Sequence, residues 1–290
     1  MKAANQEAGG ADPVSRTVHR DGFTLQIDAQ DSLGLAAGQA FEPEVLAALL
    51  RLVGAGDTVL DIGANIGWFS LHLARRVGPA GTVHAFEPEP FNHRLLLANA
   101  QANGLSCIVP HAVALGAETG QALLHTTAHN GGMHRLYASV CCEGPAVVVP
   151  VRRLDDLLAP GTVRLVKIDV EGYEPEVLRG GRALLSTPPR PRVVSEYCPA
   201  SMLEAGQSPS AFLRELQSWG LRPHTLDGVP LDLSELLDDA GRYEAHGRDR
   251  FVAACSGRSN PEIVAVVIDL AQRLGCRRPV IENLLFADTP

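Results

Sequence analysis

The chain has 290 residues, 46% of them hydrophobic and 20% charged, with a mean hydropathy of +0.04. This composition excludes a disordered or collagen-like chain and leaves room for one large domain or two small ones. A formal net charge of −8 counts against nucleic acid or an anionic membrane surface as partner, since both demand clustered positive charge.

Residues 1–22 are polar and small, without the apolar core of a signal peptide, and are expected to form a flexible tail. No stretch reaches the roughly 18–20 apolar residues of a membrane span. Residues 23–56 read as an N-terminal strand and helix: 23–27 alternates like a strand, and 42–53 has helical spacing after Pro43. From residue 57, strands at 58–62, 82–86 and 106–110 alternate with helices at 66–77 and 90–103, which predicts βαβ units around a parallel sheet. Right-handed crossovers then put helices on both faces. Between 113 and 151 two β-like runs, 121–126 and 146–151, flank a polar, glycine-bearing stretch. That is an insertion of the kind that carries substrate contacts or only surface.

Alternation resumes with a short helix at 154–158, a strand at 163–169, a helix near 174–185, a strand at 192–197, a helix at 210–219 and a strand at 221–226. A final strand is expected at 250–255, pairing antiparallel, so that the main domain runs from 57 to 256. Residues 257–290 are expected to be an apolar helical extension. Within it, 262–274 is apolar on most faces, which predicts burial against the main domain or, in a homodimer, against a second copy.

The most informative segment is DTVLDIGANIGWFS at 57–70. A strand ends in Asp61, and a tight loop, Gly63-Ala64-Asn65-Ile66-Gly67, opens straight into a helix. Glycines there let the backbone approach a ligand at the carboxyl edge of a parallel sheet, so a nucleotide or nucleoside site is expected. Glu87, at the end of the next strand, can accept both ribose hydroxyls. A dinucleotide fingerprint would need glycines at 63, 65 and 68, but Asn65 and Trp68 stand at the last two, which counts against NAD. S-adenosylmethionine has no pyrophosphate and suits D-x-G-x-N-x-G, with Asp61 facing its amino group. Pro88, Ala112 and Asp169 join Asp61, Gly63, Ala64, Asn65, Gly67 and Glu87 in the expected cofactor set. Asp61 and Asn65 could otherwise be simple turn and capping residues.

The runs VLDIGANIGWFSLHLA, FEPEP, KIDVEGYEPEVLRGG and SEYCP resemble the FkbM-type S-adenosylmethionine-dependent methyltransferases over about residues 40–256. KIDVEGYE is the most specific part. The resemblance implies a Rossmann-like class I methyltransferase domain with a seven-stranded, mostly parallel sheet, and O-methylation of a hydroxyl on a small molecule such as a natural product or sugar. Where the family usually has hydroxyl residues after the central hairpin, this chain has His129-Asn130-Gly131-Gly132-Met133-His134.

On the acceptor side, alternation puts Lys167 and Asp169 on one face of their strand. Only Lys2 and Lys167 are lysines; every other basic residue is arginine. A lysine in an apolar strand needs a carboxylate partner. Asp169, which in this architecture lies beside the methyl group, and Glu171 are the candidates for acceptor positioning. Asp169 is the first candidate base, with His129 or His134 second. Glu196 adds a third carboxylate, and Asp169, Glu171 and Glu196 together could hold Mg²⁺. Lys167 with Asp169 or Glu171 could equally be a structural ion pair, and Glu174 the acidic first turn of a helix.

The six cysteines, Cys107, Cys141, Cys142, Cys198, Cys255 and Cys276, form no C-x-x-C pair and no zinc spacing, so free thiols in the cytoplasm are expected. Two further readings stay open: an N-methyltransferase on the same scaffold, and a non-catalytic nucleoside-binding subunit.

Overall fold

Short apolar runs and amphipathic stretches build a sheet covered on both faces. The computed structural model describes residues 15–127, 130–278 and 281–288. Strands β1 (Ser15–Arg20) and β2 (Phe23–Asp28) form a hairpin, turned at Asp21-Gly22, both with positive φ, as a two-residue hairpin loop requires. Part of the expected tail is therefore strand, while residues 1–14 lie outside the described residues. Helix α1 (Pro43–Leu52) follows. Then come β3 (Thr58–Ile62), α2 (Trp68–Val77), β4 (Thr82–Phe86), α3 (Pro90–Ala102) and β5 (Ile108–His111).

The insertion is a small sheet of its own, in the order β6-β8-β7, made by β6 (Ala114–Leu115), β7 (Gly120–His125) and β8 (Ala146–Arg152). The helix expected at 154–158 is a single 3-10 turn, Leu154–Asp156. After β9 (Leu165–Ile168), the helix expected at 174–185 is two, α4 (Glu174–Gly180) and α5 (Arg182–Ser186). They part at the Gly180-Gly181 pair, the poorest helix former available short of proline. The chain continues through β10 (Arg192–Tyr197), α6 (Pro199–Glu204), α7 (Pro209–Ser218), β11 (Leu221–His224), α8 (Leu233–His246), α9 (Arg248–Cys255), α10 (Asn260–Leu274) and β12 (Glu282–Asp288).

The central sheet has the order β5-β4-β3-β9-β10-β12-β11, the Rossmann-like arrangement expected. Its strands run parallel except β12, which pairs antiparallel with both β10 and β11. The antiparallel strand is thus not 250–255, which is helix α9, but 282–288, inside the segment expected to be only a helical extension. The burial explains the correction. In 248–255 only Phe251 and Cys255 are buried, at the i, i+4 spacing of one helix face, whereas Leu284, Leu285 and Phe286 are buried consecutively, as in a strand covered on both sides.

Alternate residues divide the core. Val59, Leu165, Val194 and Leu285 face α1, α2 and α3, while Leu60, Val166, Val193 and Leu284 face α4, α5, α7 and α8. Helix α10 packs Ile263, Val267, Leu270 and Ala271 against α6 and α9, and leaves Val264 and Ile268 exposed. Among the described residues no helix is long and apolar enough to cross a membrane, and all six cysteines are free thiols.

Candidate active site

The strand order reverses between β3 and β9, and in open α/β sheets such a switch point opens a crevice at the carboxyl edge. The loop after β3 is pressed against the end of β9. The Asp169 amide donates to the Ile62 carbonyl at 3.1 Å, and a Cβ on Gly63, whose φ is +79°, would lie 1.9 Å from the Asp169 carbonyl oxygen. Only glycine fits there. Asn65 takes the left-handed conformation, φ +51°, which asparagine tolerates better than most residues; its side chain accepts from the Ile66 amide at 2.6 Å.

A cavity of about 240 Å³ occupies this edge. At one end stands Glu87, whose carboxylate accepts from the Asn65 amide at 2.8 Å and the Glu89 amide at 2.9 Å. Burial pushes its carboxyl up to about 8 despite those two bonds. Pro88, Gly63, Ala64 and Asn65 line the same end.

The other end is acidic. Glu42, Asp169, Glu171 and Glu196 all line it, with Lys167 among them. Lys167 is 2% exposed and lies 3.2 Å from Asp169 Oδ2 and 3.8 Å from Asp61 Oδ1; these carboxylates outweigh burial and raise its ammonium above the usual lysine range. Glu42 is pushed up to about 7, first by burial and then by Asp169, and its Oε2 is buried without a hydrogen-bond partner. Glu196 is raised well above the carboxylate range by burial and by Glu171 and Asp169.

The inserted sheet closes the cavity. Gly131 is held by three side chains: its amide donates to Ser32 Oγ at 2.9 Å, and its carbonyl accepts from Asn92 at 2.7 Å and Asn65 at 3.3 Å. This fixes Met133 and His134 as wall residues. His134 Nδ1 accepts from the Thr127 amide at 3.2 Å, and burial lowers its imidazole to about 4. The ring is neutral, with its proton on Nε2, so it is a hydrogen-bond donor rather than a base. Arg135, 5% exposed, bridges Glu171 at 3.0 Å and Glu204 at 2.8 Å. Tyr137 donates to the Glu171 carbonyl at 2.8 Å and so braces a non-glycine residue held at φ +58°.

Most expected residues converge: Gly63, Ala64, Asn65, Glu87, Pro88, His134, Lys167, Asp169, Glu171 and Glu196 line one cavity. Asp61, Gly67 and Ala112 are not in its wall. Asp61 is fully buried beneath it, accepting from Ser70 Oγ at 2.6 Å and facing Lys167. Gly67 caps α2, and the wall beside Ala112 is made by Val113 and Ala114. His129 lies outside the described residues. The expected Mg²⁺ site is corrected: among the described residues no group of three or more His, Cys, Asp or Glu is arranged to hold a metal, and Glu171 is taken by Arg135. Glu42, Arg135 and Tyr137 were not anticipated. Glu42 reads as a helix-start residue, and nothing in the sequence sets Arg135 apart from the other arginines.

Residues 61–223, more than half of the chain, match the family model described as the methyltransferase FkbM domain. The chain is 34% identical over 155 residues to the 31-O-demethyl-FK506 methyltransferase FkbM of Streptomyces tacrolimicus, covering 43% of this chain and 59% of that protein. It is 32% identical over 143 residues to Methyltransferase 1 of Beauveria bassiana, covering 42% and 57%. Identity to the hexuronic acid methyltransferase AglP of Haloferax volcanii is 30% over 144 residues, covering 48% and 56%. The matches thus span less than two thirds of the length of these curated relatives.

Proposed function

Since the chain belongs to the FkbM methyltransferase family, we propose that it methylates a hydroxyl of a small-molecule acceptor with S-adenosylmethionine as donor. The observation that carries this reading is the polarity of the cavity: a carboxylate for ribose at one end and four carboxylates around one lysine at the other. Such an acidic end suits a ligand that is cationic there and opposes a pyrophosphate. S-adenosylmethionine, when bound, supplies an electrophilic methyl group on a positively charged sulfur.

Glu87 has lone pairs left over from the Asn65 and Glu89 amides with which to accept ribose hydroxyls. Glu42, with an unpartnered buried oxygen, and Asp169 are placed to accept from an ammonium. Asp61 acts one layer below, holding Lys167, which in turn holds Asp169. Lys167 and Asp61 are positioning residues.

For the acceptor, Glu196 is the proton-accepting group. Burial, Glu171 and Asp169 disfavour its ionised form, and once ionised it is a stronger base than an ordinary carboxylate. It would take the hydroxyl proton in a transfer in which the carbon–oxygen bond forms as the carbon–sulfur bond breaks and S-adenosylhomocysteine leaves, a contribution typically worth about 10²–10⁴-fold. Asp169 and Glu171 position the hydroxyl, Glu171 through the fixed geometry given by Arg135 and Tyr137.

The test is transfer of labelled methyl from S-adenosylmethionine to a panel of hydroxylated small molecules, with Glu196→Gln alongside. The expected result is an O-methyl product, with turnover lowered about 10²–10⁴-fold in the variant and little change in S-adenosylhomocysteine affinity. Full turnover by the variant would remove Glu196 from the role.

A further inference from the structure

A second cavity of about 620 Å³ lies against the first, walled on one side by residues within the family match and on the other by Phe251 to Ile281, beyond residue 223 where that match ends. Met133, Glu171 and Glu196 belong to the walls of both, so the two spaces meet at the carboxylates assigned to the acceptor hydroxyl. Resting on the methyl-transfer reading above, we propose that this second cavity is the acceptor site and that it takes an uncharged, largely apolar molecule carrying a hydroxyl.

The walls argue for that chemistry. Phe251 from α9, Ile263, Val264, Val267 and Ile268 from α10, and Ile281 before β12 supply an apolar side. Eight large apolar side chains are exposed among the described residues, and three of them, Val264, Ile268 and Ile281 at 45%, 46% and 50%, belong to this one cavity. Grouped exposure of this kind marks a surface that something else covers. Charge excludes an anionic occupant: the cavity's cation, Arg135, is already bound by Glu171 and Glu204, and Glu196 adds an acid at the junction. A carboxylate or phosphate on the acceptor would enter this space without a counter-charge, at a desolvation cost no apolar contact offsets.

The experiment uses Nile red, a neutral apolar dye, on the full chain, with S-adenosylhomocysteine binding measured in parallel. The dye is expected to bind one per chain with blue-shifted emission, and to be displaced by 1-dodecanol but not by glucuronate. The double variant Val264→Asp, Ile268→Asp, altering exposed positions of α10, is expected to weaken dye binding about tenfold or more and to leave S-adenosylhomocysteine affinity unchanged. Absence of dye binding, equal binding by the variant, or displacement by glucuronate would overturn the proposal. So would a wild-type dimer in sedimentation that binds no dye and that the variant dissociates, since the apolar face would then belong to a second copy. Failure of the methyl-transfer reading shows separately, as no binding of S-adenosylhomocysteine to the wild-type chain.

Discussion

Lys167 Nζ stands 3.2 Å from Asp169 Oδ2 at the end of β9, 2% exposed, so one ammonium offsets part of the charge of a site wall that is otherwise acidic. Removing one partner of a buried pair leaves an uncompensated charge, at a cost of about 3–5 kcal/mol. Lys167→Met is therefore expected to lower the unfolding free energy measured in urea by that amount, with part of the loss recovered by adding Asp61→Asn. A single variant as stable as wild type would show that the lysine is dispensable to the fold.

Glu87 sets the pH dependence of cofactor binding. Ribose hydroxyls donate to its ionised form, and its free carboxyl sits at about 8. Affinity for S-adenosylhomocysteine is expected to rise with pH from about 6 and level off above 8. Glu87→Gln is expected to weaken binding about 10–100-fold, in line with hydrogen bonds to charged groups at about 1.5–3 kcal/mol, and to remove the part of the slope centred near 8. A pH-independent wild-type affinity contradicts this.

The same carboxyls act on stability with a definite sign. Glu42 and Glu174 are pushed up to about 7 and Glu87 to about 8, each chiefly by burial. A folded-state value above the unfolded one stabilises fully below the unfolded pKa and is lost as pH rises through the folded value. The histidines lowered by burial oppose this fall while their unfolded forms still titrate, and only above about pH 7.5 are they neutral in both states. Chemical denaturation of the ligand-free chain is therefore expected to show stability falling from about pH 7.5 to 8.5. A flat or rising profile would contradict these assignments.

Arg135 joins the inserted sheet to the acceptor side through Glu171 and Glu204, and also donates to Ser139 at 2.8 Å. Arg135→Met is expected to cost about 3–5 kcal/mol by removing the counter-charge of Glu171 and Glu204, of which Glu204 keeps its hydrogen bonds from Ser139 and the Val140 amide. Arg135→Lys is expected to recover little, since an ammonium cannot reproduce a planar fork of donors. Recovery of wild-type stability by lysine would mean that charge alone suffices.

The parts legible in the sequence were those coded locally. Alternation in TVLDI and the loop after it located the switch point, and the spacing to Glu87 placed that carboxylate at the same sheet edge, in the wall of the cavity. The less legible parts depend on contacts far apart in sequence. ENLLFAD at 282–288 is a short apolar run that periodicity alone cannot assign, and it becomes a strand only because β10 and β11 leave a place between them. Glu42 and Arg135 join the site through α1 and the inserted sheet, whose docking no local pattern encodes. Asp61 was matched by its position in the loop pattern, but its strand register beside Lys167 turns it inward.

The central claim is tested most directly by calorimetric titration of the purified chain with S-adenosylhomocysteine, beside Glu87→Ala. The account predicts one saturable site per chain, weakened at least tenfold by the substitution. No binding to the wild-type chain at millimolar ligand would contradict it.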